Sequence, residues 1–491
     1  MHFNFANIGK IQKADIELKP LTIFIGKNGS GKTYAATALW TVISYIKKQT
    51  ARQLLSRKTY QNLENAFYAT LKTLSNESTT ELSISLQELE DIVYEVNSHL
   101  QQSFSELLKR TFNADVFQEA TLSLRNEILG PLRVYFRVVK KNHLLIDKEE
   151  HTGTQLDINF LLTETYRQGY TFSSSAINEL LLPRSSGVLR DSATSEQILN
   201  FLIKEVIEIA VFYRLSKQFS RLMYMPAART GLMFGYHNIV QNDFRKNNEQ
   251  WSLQVESINR DNAELTMPLK SFVADLNDIR HYQSYHQNPE LINPLETQLM
   301  DGNICINPDK QIYEFKPEGL QNSLPLSASS SLVTELAALS IQYNQLNNHS
   351  SFVIFEEPEA HLHLSAQREM AKLIVGLVNQ GTYVLLTSHS DTFLQQINNL
   401  VLLNRLQDQA LLEQLQIKDN ETLSAEKVAL YDFKVEEGKT NVQRIECGEY
   451  GFVAPSINEE LFQLLQETNL ILDKVSKDEY DTSVTTDREG S

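Results

Sequence analysis

Gly26-Lys27-Asn28-Gly29-Ser30-Gly31-Lys32-Thr33 fits the pattern G-x-x-x-x-G-K-[ST]. An apolar, β-branched run, Leu21-Thr22-Ile23-Phe24-Ile25, enters it. Ala35, Ala36, Leu39, Trp40, Ile43 and Ile46 leave it at helical spacing. Strand, glycine-rich turn, helix is the context a phosphate-binding loop requires. The glycines let backbone N–H groups converge on phosphate oxygens with no Cβ in the way. The helix that follows adds the positive end of its dipole. In that setting Lys32 reaches the β- and γ-phosphates of a nucleotide, and the Thr33 hydroxyl ligates Mg2+. The expected nucleotide-binding residues are therefore Gly26, Asn28, Gly29, Ser30, Gly31, Lys32, Thr33 and Tyr34.

Composition narrows the class. The chain has 491 residues, of which 42% are hydrophobic, enough for several domains with a sizeable core and too apolar for global disorder. A net charge of −16 and a sequence pI near 5.3 argue against a protein that coats nucleic acid through bulk charge. A local basic groove remains compatible with them. The two cysteines, Cys305 and Cys447, lie far apart, and there is no C-x-x-C. That excludes a disulfide framework and a zinc ribbon and points to a reducing cytoplasm. Met1-His2-Phe3-Asn4-Phe5 lacks the basic start and apolar core of a signal peptide. The most apolar helical stretch, Ile198 to Phe212, carries Lys204, Glu205 and Glu208, so no membrane span is expected.

Taken in order, the chain reads as strands near Phe3–Ile8 and Ala14–Ile25, the P-loop helix, and then long helical patterns. Leu86, Leu89, Val93, Val96, Leu100, Phe104, Leu107 and Leu108 trace one helical face. Short β-like runs follow at Thr121–Leu124, Val134–Val139 and Leu144–Asp147. A second long helix starts near Thr194 or Ser195, and the two helices suggest projecting arms. Arg221 to Met225 looks like a strand stopped by Pro226, with Arg229 just beyond. Residues 233–300 are polar, with weak helical patterning, and Asn303–Asn307 with Gln311–Phe315 suggests a hairpin. Leu400–Leu403 and Ala429–Val435 read as strands, Asn458–Lys474 as an amphipathic helix, and Asp478–Ser491 as a disordered tail.

The second chemical constellation lies far downstream. Phe352-Val353-Ile354-Phe355 runs into Glu356 and Glu357, the form of a Walker B strand. The first acid can hold Mg2+, often through water; the second can orient or deprotonate an attacking water. Two solvent-facing glutamates at a strand end would look the same in isolation. The P-loop upstream and a second apolar strand, Tyr383 to Thr387, ending at His389 favour the chemical reading. A histidine there can donate to the γ-phosphate. Ser327-Ala328-Ser329-Ser330-Ser331 opens a helix, either as a simple N-cap or as a loop aimed at a phosphate in another subunit. His361 and His363 lack the carboxylate or cysteine companions of a zinc site, and a structural or interface role suits them better.

Walker A, the serine-rich run, Phe355-Glu356-Glu357-Pro358-Glu359-Ala360-His361-Leu362-His363 and Thr387-Ser388-His389-Ser390 together resemble ABC-class ATPases, the group that includes SMC, RecF and OLD proteins. With Met225-Pro226-Ala227-Ala228-Arg229 they look most like OLD-like ATPases of bacterial anti-phage systems: PARIS-type ATPase subunits first, Septu-type second. The resemblance implies an α/β fold, an ABC-type P-loop ATPase head of mixed β-sheets and flanking helices with a large, mainly helical insertion. The head would comprise 1–50 and 221–475, the insertion 51–220 and the disordered tail 476–491. ATP and Mg2+ would be the cofactors. Lys32, Glu357 and His389 would be catalytic, Thr33 and Glu356 would hold the metal, and Arg229 would lie on a loop entering the ATP site. Ser329 or Ser330 would reach across to a second head; serines replace the glycines of the usual LSGGQ signature, which leaves the choice between them open.

The implied function is an ATP-binding and ATP-hydrolysing sensor or scaffold subunit, homo-oligomeric through ATP-sandwich head dimers (a dimer or a higher even number). Its partners would be a separate effector, a TOPRIM or HNH nuclease, and a phage-encoded trigger, with DNA a further candidate and no membrane. The stretch after residue 400 is short for a TOPRIM domain, so no nuclease is expected in this chain. The alternative is a RecF- or SMC-like DNA-repair ATPase, which predicts clustered basic residues. Lys109-Arg110, Lys140-Lys141 and Arg245-Lys246 are only pairs. A transporter ATPase fits poorly with the large insert between Lys32 and Glu357.

Overall fold

The computed structural model describes residues 1–74, 79–126, 128, 130–146, 149–163, 166–172, 192–212, 221–235, 265–282, 295–307, 312–346, 351–453 and 465–472. Its strands are β1 (His2–Ile8), β2 (Ile11–Glu17), β3 (Leu21–Ile25), β4 (Thr79–Ile84), β5 (Thr121–Arg125), β6 (Leu132–Ile146), β7 (Glu149–Thr163), β8 (Tyr166–Phe172), β9 (Arg221–Met225), β10 (Gly302–Asn307), β11 (Ile312–Pro317), β12 (Leu324–Pro325), β13 (Ser351–Glu356), β14 (Tyr383–Thr387), β15 (Val428–Glu436), β16 (Lys439–Ile445), β17 (Cys447–Gly448) and β18 (Gly451–Phe452). A nine-stranded sheet runs in the order β5-β1-β2-β16-β15-β3-β14-β13-β9. From β15 to β9 every neighbouring pair is parallel.

Strands β3, β13 and β14 are buried at every position, as parallel strands covered on both faces must be. The two-residue period divides their side chains between two cores. Phe24, Phe352, Ile354 and Leu385 enter one, together with the P-loop helix Lys32–Lys48 and the helices Leu86–Phe112 and Ser192–Val211. Ile23, Val353, Phe355 and Leu386 enter the other, under the helices Ser331–Leu346, Leu364–Asn379 and Asp391–Leu406. The molecule is thus a helix–sheet–helix sandwich around a mixed sheet.

The helix Leu86–Phe112 begins at a capping box between Ser85 and Glu88 and ends at Asn113 in the left-handed conformation. Leu89, Ile92, Val96, Leu100, Phe104 and Leu108 form its buried stripe, while Leu86 is exposed. That stripe shares a core with the P-loop helix, so the helix lies on the head instead of projecting as an arm. The insertion also holds a four-stranded antiparallel sheet, β4-β6-β7-β8, in which two of the short runs expected from the sequence merge into β6.

Two further expectations need correction. Ala14–Ile25 is two strands, because the chain turns through Leu18–Pro20 and the ring of Pro20 has no N–H to extend the ladder. Leu400–Leu403 is helical, within Asp391–Leu406, where Phe393, Ile397, Leu400 and Val401 recur at helical spacing and are buried. The expected hairpin forms as β10 and β11. Of the weakly patterned region 233–300, residues 236–264 and 283–294 lie outside the described residues, and Met267–Tyr282 is a helix. Of the expected helix Asn458–Lys474, residues 465–472 are described and helical. The tail expected at 476–491 lies outside the described residues.

Candidate functional site

Strand order brings the chemistry together. β14 lies between β3 and β13, and all three run the same way. Their C-terminal ends therefore share one edge, with neighbouring strands roughly 4.8 Å apart. Walker A leaves β3 there, Ser388-His389 leaves β14, and Glu356-Glu357 closes β13. Backbone bonds lock the three ends: Ser388 N–H donates to the Phe24 carbonyl at 2.9 Å and Glu357 N–H to the Thr387 carbonyl at 3.0 Å. Ligands of open α/β sheets bind at such carboxyl ends.

The loop has the conformation its glycines predict. Gly26, Gly29 and Gly31 have φ of 135°, 71° and 97°. A Cβ on Gly31 would lie 2.9 Å from Ile11, so positive φ and close packing both require glycine there. Gly31 is the N-cap of the P-loop helix and supplies no side-chain cap, so the first-turn N–H groups keep their affinity for an anion. Asn28 and Gly29 are exposed; Ser30 and Lys32 are buried. Lys32 Nζ donates to the carbonyls of Gly26 at 2.8 Å and Lys27 at 3.1 Å, which leaves its third N–H for an anion. Burial pushes the Lys32 ammonium down from 10.5 to about 8, against the pull of Glu357, Glu359 and Asp432. Tyr34 packs edge-on against Phe112 and Phe117, and its ring crowds Gly9 in the β1–β2 turn.

Glu356 is buried. The Ala227 N–H donates to its Oε2 at 3.2 Å, and the hydroxyls of Thr33 and Tyr224 also face the carboxylate. Burial pushes this carboxyl up, and those donors oppose the shift. Its Oε1 has no hydrogen-bond partner among the described residues. A buried carboxylate oxygen without a partner, beside a threonine hydroxyl at a phosphate loop, fits Mg2+, which takes one or two protein oxygens and completes its shell with phosphate and water. No larger His, Cys, Asp or Glu cluster able to hold a metal occurs among the described residues.

Glu357 stands at φ 44°, a left-handed conformation that a glutamate adopts only under constraint. Its carboxylate is half-buried and pairs with His389 Nε2 at 3.3 Å. That contact, with the charges of Lys32 and Arg229, holds Glu357 below the usual carboxylate range against the effect of burial. An ionised carboxylate and a histidine side by side, next to a buried lysine, suit the positioning of a water against a γ-phosphate.

Several placements were not legible in the sequence. Arg229 is fully buried. Its guanidinium donates to the carbonyls of Pro226, Glu335, Glu356 and Glu357 at 3.2–3.3 Å and lies over the Phe355 ring. These contacts form a clamp behind Walker B. Glu359, unassigned from sequence, holds the histidine turn: its Oε1 accepts from Ser388 Oγ at 2.6 Å, His389 N–H at 2.9 Å and Ser390 N–H at 3.3 Å. Its signal was a third acid, two residues past the Walker B pair. Ser330 caps the helix Ser331–Leu346 through Val333 N–H, and Ser329 donates to the Pro325 carbonyl. Neither serine hydrogen-bonds to a P-loop residue of its own chain among the described residues. His363 is a helix N-cap, and His361 is exposed, 3.9 Å from Glu335.

The fold and the site together define a P-loop ATPase of the ABC type, with mixed α/β architecture. Residues 2–394 match the model of the AAA ATPase domain family, and the chain belongs to that family. No curated protein matches it. Among solved structures it is similar to the SMC head bound to the C-winged helix domain of ScpA, at 11% identity and TM-score 0.30, over 91% of this chain and 97% of that one. It is also similar to an SMC head with an extended coiled coil bound to the C-terminal domain of ScpA from Pyrococcus furiosus, at 11% identity and TM-score 0.30, over 95% and 98%. A third is the SMC head domain of Thermotoga maritima, at 10% and 0.29, over 91% and 98%.

Proposed function

We propose that this chain binds Mg-ATP at the shared edge and hydrolyses it between two heads, as the nucleotide-gated sensor or scaffold of a cytoplasmic anti-phage defence complex. The observation that carries the ATPase reading is the meeting of Lys32, Glu356, Glu357 and His389 at adjacent parallel strand ends. Gly26, Asn28, Gly29, Ser30, Gly31, Lys32, Thr33 and Tyr34 receive the nucleotide, and Thr33 with Glu356 receives Mg2+. Bound metal neutralises phosphate charge. Lys32 holds the β- and γ-phosphates, Glu357 orients the water, and His389 steadies both Glu357 and the γ-phosphate. Ser329 or Ser330, at a helix start, completes the pocket of a second copy.

The defence role is supported by the resemblance of the Phe355–His363, Ser388–Ser390 and Met225–Arg229 segments to OLD-like ATPases of PARIS-type and Septu-type systems. In this reading a separate TOPRIM or HNH nuclease is held by the heads, and a phage protein triggers its release. Differential affinity for the ATP-bound assembly supplies the coupling.

The test compares wild type, Lys32→Ala and Glu357→Gln for ATP binding and turnover, and for protection against phage when each is expressed with its neighbouring genes. Lys32→Ala should lose ATP affinity and protection. Glu357→Gln should keep ATP and lose turnover by roughly a hundredfold to ten-thousandfold. Wild-type turnover in both variants would overturn the ATPase reading. Normal turnover without any phage phenotype, but with salt-sensitive DNA binding, would favour the repair reading instead.

A further inference from the structure

Arg229 joins three segments that are remote in sequence. Its own turn follows β9, and that turn also sends the Ala227 N–H to the Glu356 carboxylate. One guanidinium nitrogen donates to the Pro226, Glu356 and Glu357 carbonyls, and a second also donates to Glu357. Nε donates to the backbone carbonyl of Glu335 at 3.2 Å and lies equally close to Glu335 Oε2 as an ion pair. Glu335 belongs to the helix that starts at Ser331, just after the exposed Ser330. One rigid, fully buried fork therefore ties the start of that helix to the backbone of the strained Glu357. Buried charge is costly unless paired and hydrogen-bonded, so this arginine's contacts act as a unit.

Lysine could match the charge but not the geometry. It has no planar array that reaches the Glu335 carbonyl on one side and the Glu357 carbonyl on the other. Glu335 is itself buried, and its Oε1 lies 3.9 Å from the exposed His361. Through Arg229 the first turns of that helix and the backbone that carries the Glu357 carboxylate are held to one another.

We propose that Arg229 is a positioning residue that makes hydrolysis at Glu357 depend on what occupies the Ser329–Ser331 end of its own chain. The inference rests on the reading of Glu357 as the hydrolytic glutamate. In a sandwich of two heads the serine end faces the partner's nucleotide while Glu357 faces its own. The clamp therefore links the two composite sites, and turnover becomes cooperative in ATP.

The experiment measures ATP dissociation constant, kcat, Hill coefficient and melting temperature for Arg229→Lys, Glu335→Gln and, as reference, Glu357→Gln. Glu335→Gln keeps the backbone acceptor and the side-chain shape, so it decides the matter should Arg229→Lys fold poorly. The expected result is ATP affinity within about threefold of wild type, kcat lowered about tenfold to a hundredfold per folded molecule, and a Hill coefficient near one, because small misplacement of a reacting group is costly. Conversely, kcat and Hill coefficient at wild-type values in both variants would overturn the inference while leaving Glu357 as the catalytic group. Loss of kcat only in proportion to lost folded protein would also overturn it, as a purely structural role. Retained turnover in Glu357→Gln would overturn the functional reading and this inference with it.

Discussion

From β15 to β9 the nine-stranded sheet is wholly parallel, whereas β5, β1 and β2 alternate in direction and β16 is antiparallel to β15. In the parallel part every C-terminus meets the same edge, so three loops from distant stretches of chain converge. In the alternating part consecutive strands end on opposite edges, and its side chains pack instead. Phe3 and Phe5 stack at 6.0 Å, and Phe5 stacks on Phe104 of the inserted helix at 5.9 Å. The contrast teaches that strand direction, more than residue type, decides which part of this sheet gathers the candidate site residues at one edge. Among the described residues, the insertion packs on the alternating part through Phe104 and on the P-loop helix through Phe112 and Phe117 against Tyr34.

The comparison can be broken first by emptying the packing side. Phe104 is completely buried, and Phe104→Ala should destabilise the chain by about 3–5 kcal/mol. Denaturant titration should register that loss while ATP affinity, measured on the folded fraction at low temperature, stays at the wild-type value. If the folded variant no longer binds ATP, the packing side and the chemical edge are not separable as described.

A smaller effect sharpens the other side. Lys32 titrates near 8 in the protein and at 10.5 as a free side chain, so between those values the unfolded chain binds more protons. Stability should therefore rise as pH increases through that window, and the burial penalty should be fully present below it. Phosphate oxygens around Lys32 restore its charged form. Mg-ATP binding should then take up a fraction of a proton near pH 9 and almost none near pH 7. Calorimetry in buffers of different ionisation enthalpy reads this directly; identical heats in all buffers at pH 9 would contradict it.

What the sequence revealed follows the same division. Walker A, Glu356-Glu357 and the strand before His389 were legible because each is a local pattern: an apolar run, then glycines or charges. The clamp was not, because Arg229 meets Glu335, Glu356 and Glu357 more than 100 positions further along the chain. Glu359 was passed over because its partners are mostly backbone N–H groups, which leave no residue signature. The inserted sheet was seen only in fragments: its antiparallel strands alternate polar and apolar residues, and β6 pairs with β7 through an irregular register. The helix Asp391–Leu406 was misread in part because a four-residue apolar window cannot separate strand from buried helix.

The most direct test is the structure of the Glu357→Gln variant with Mg-ATP. The account predicts the β- and γ-phosphates against the N–H groups of Gly29 to Thr33, Lys32 on the γ-phosphate, and the cation between the Thr33 hydroxyl and Glu356. A nucleotide bound elsewhere, or phosphates out of reach of both Lys32 and residue 357, would contradict it.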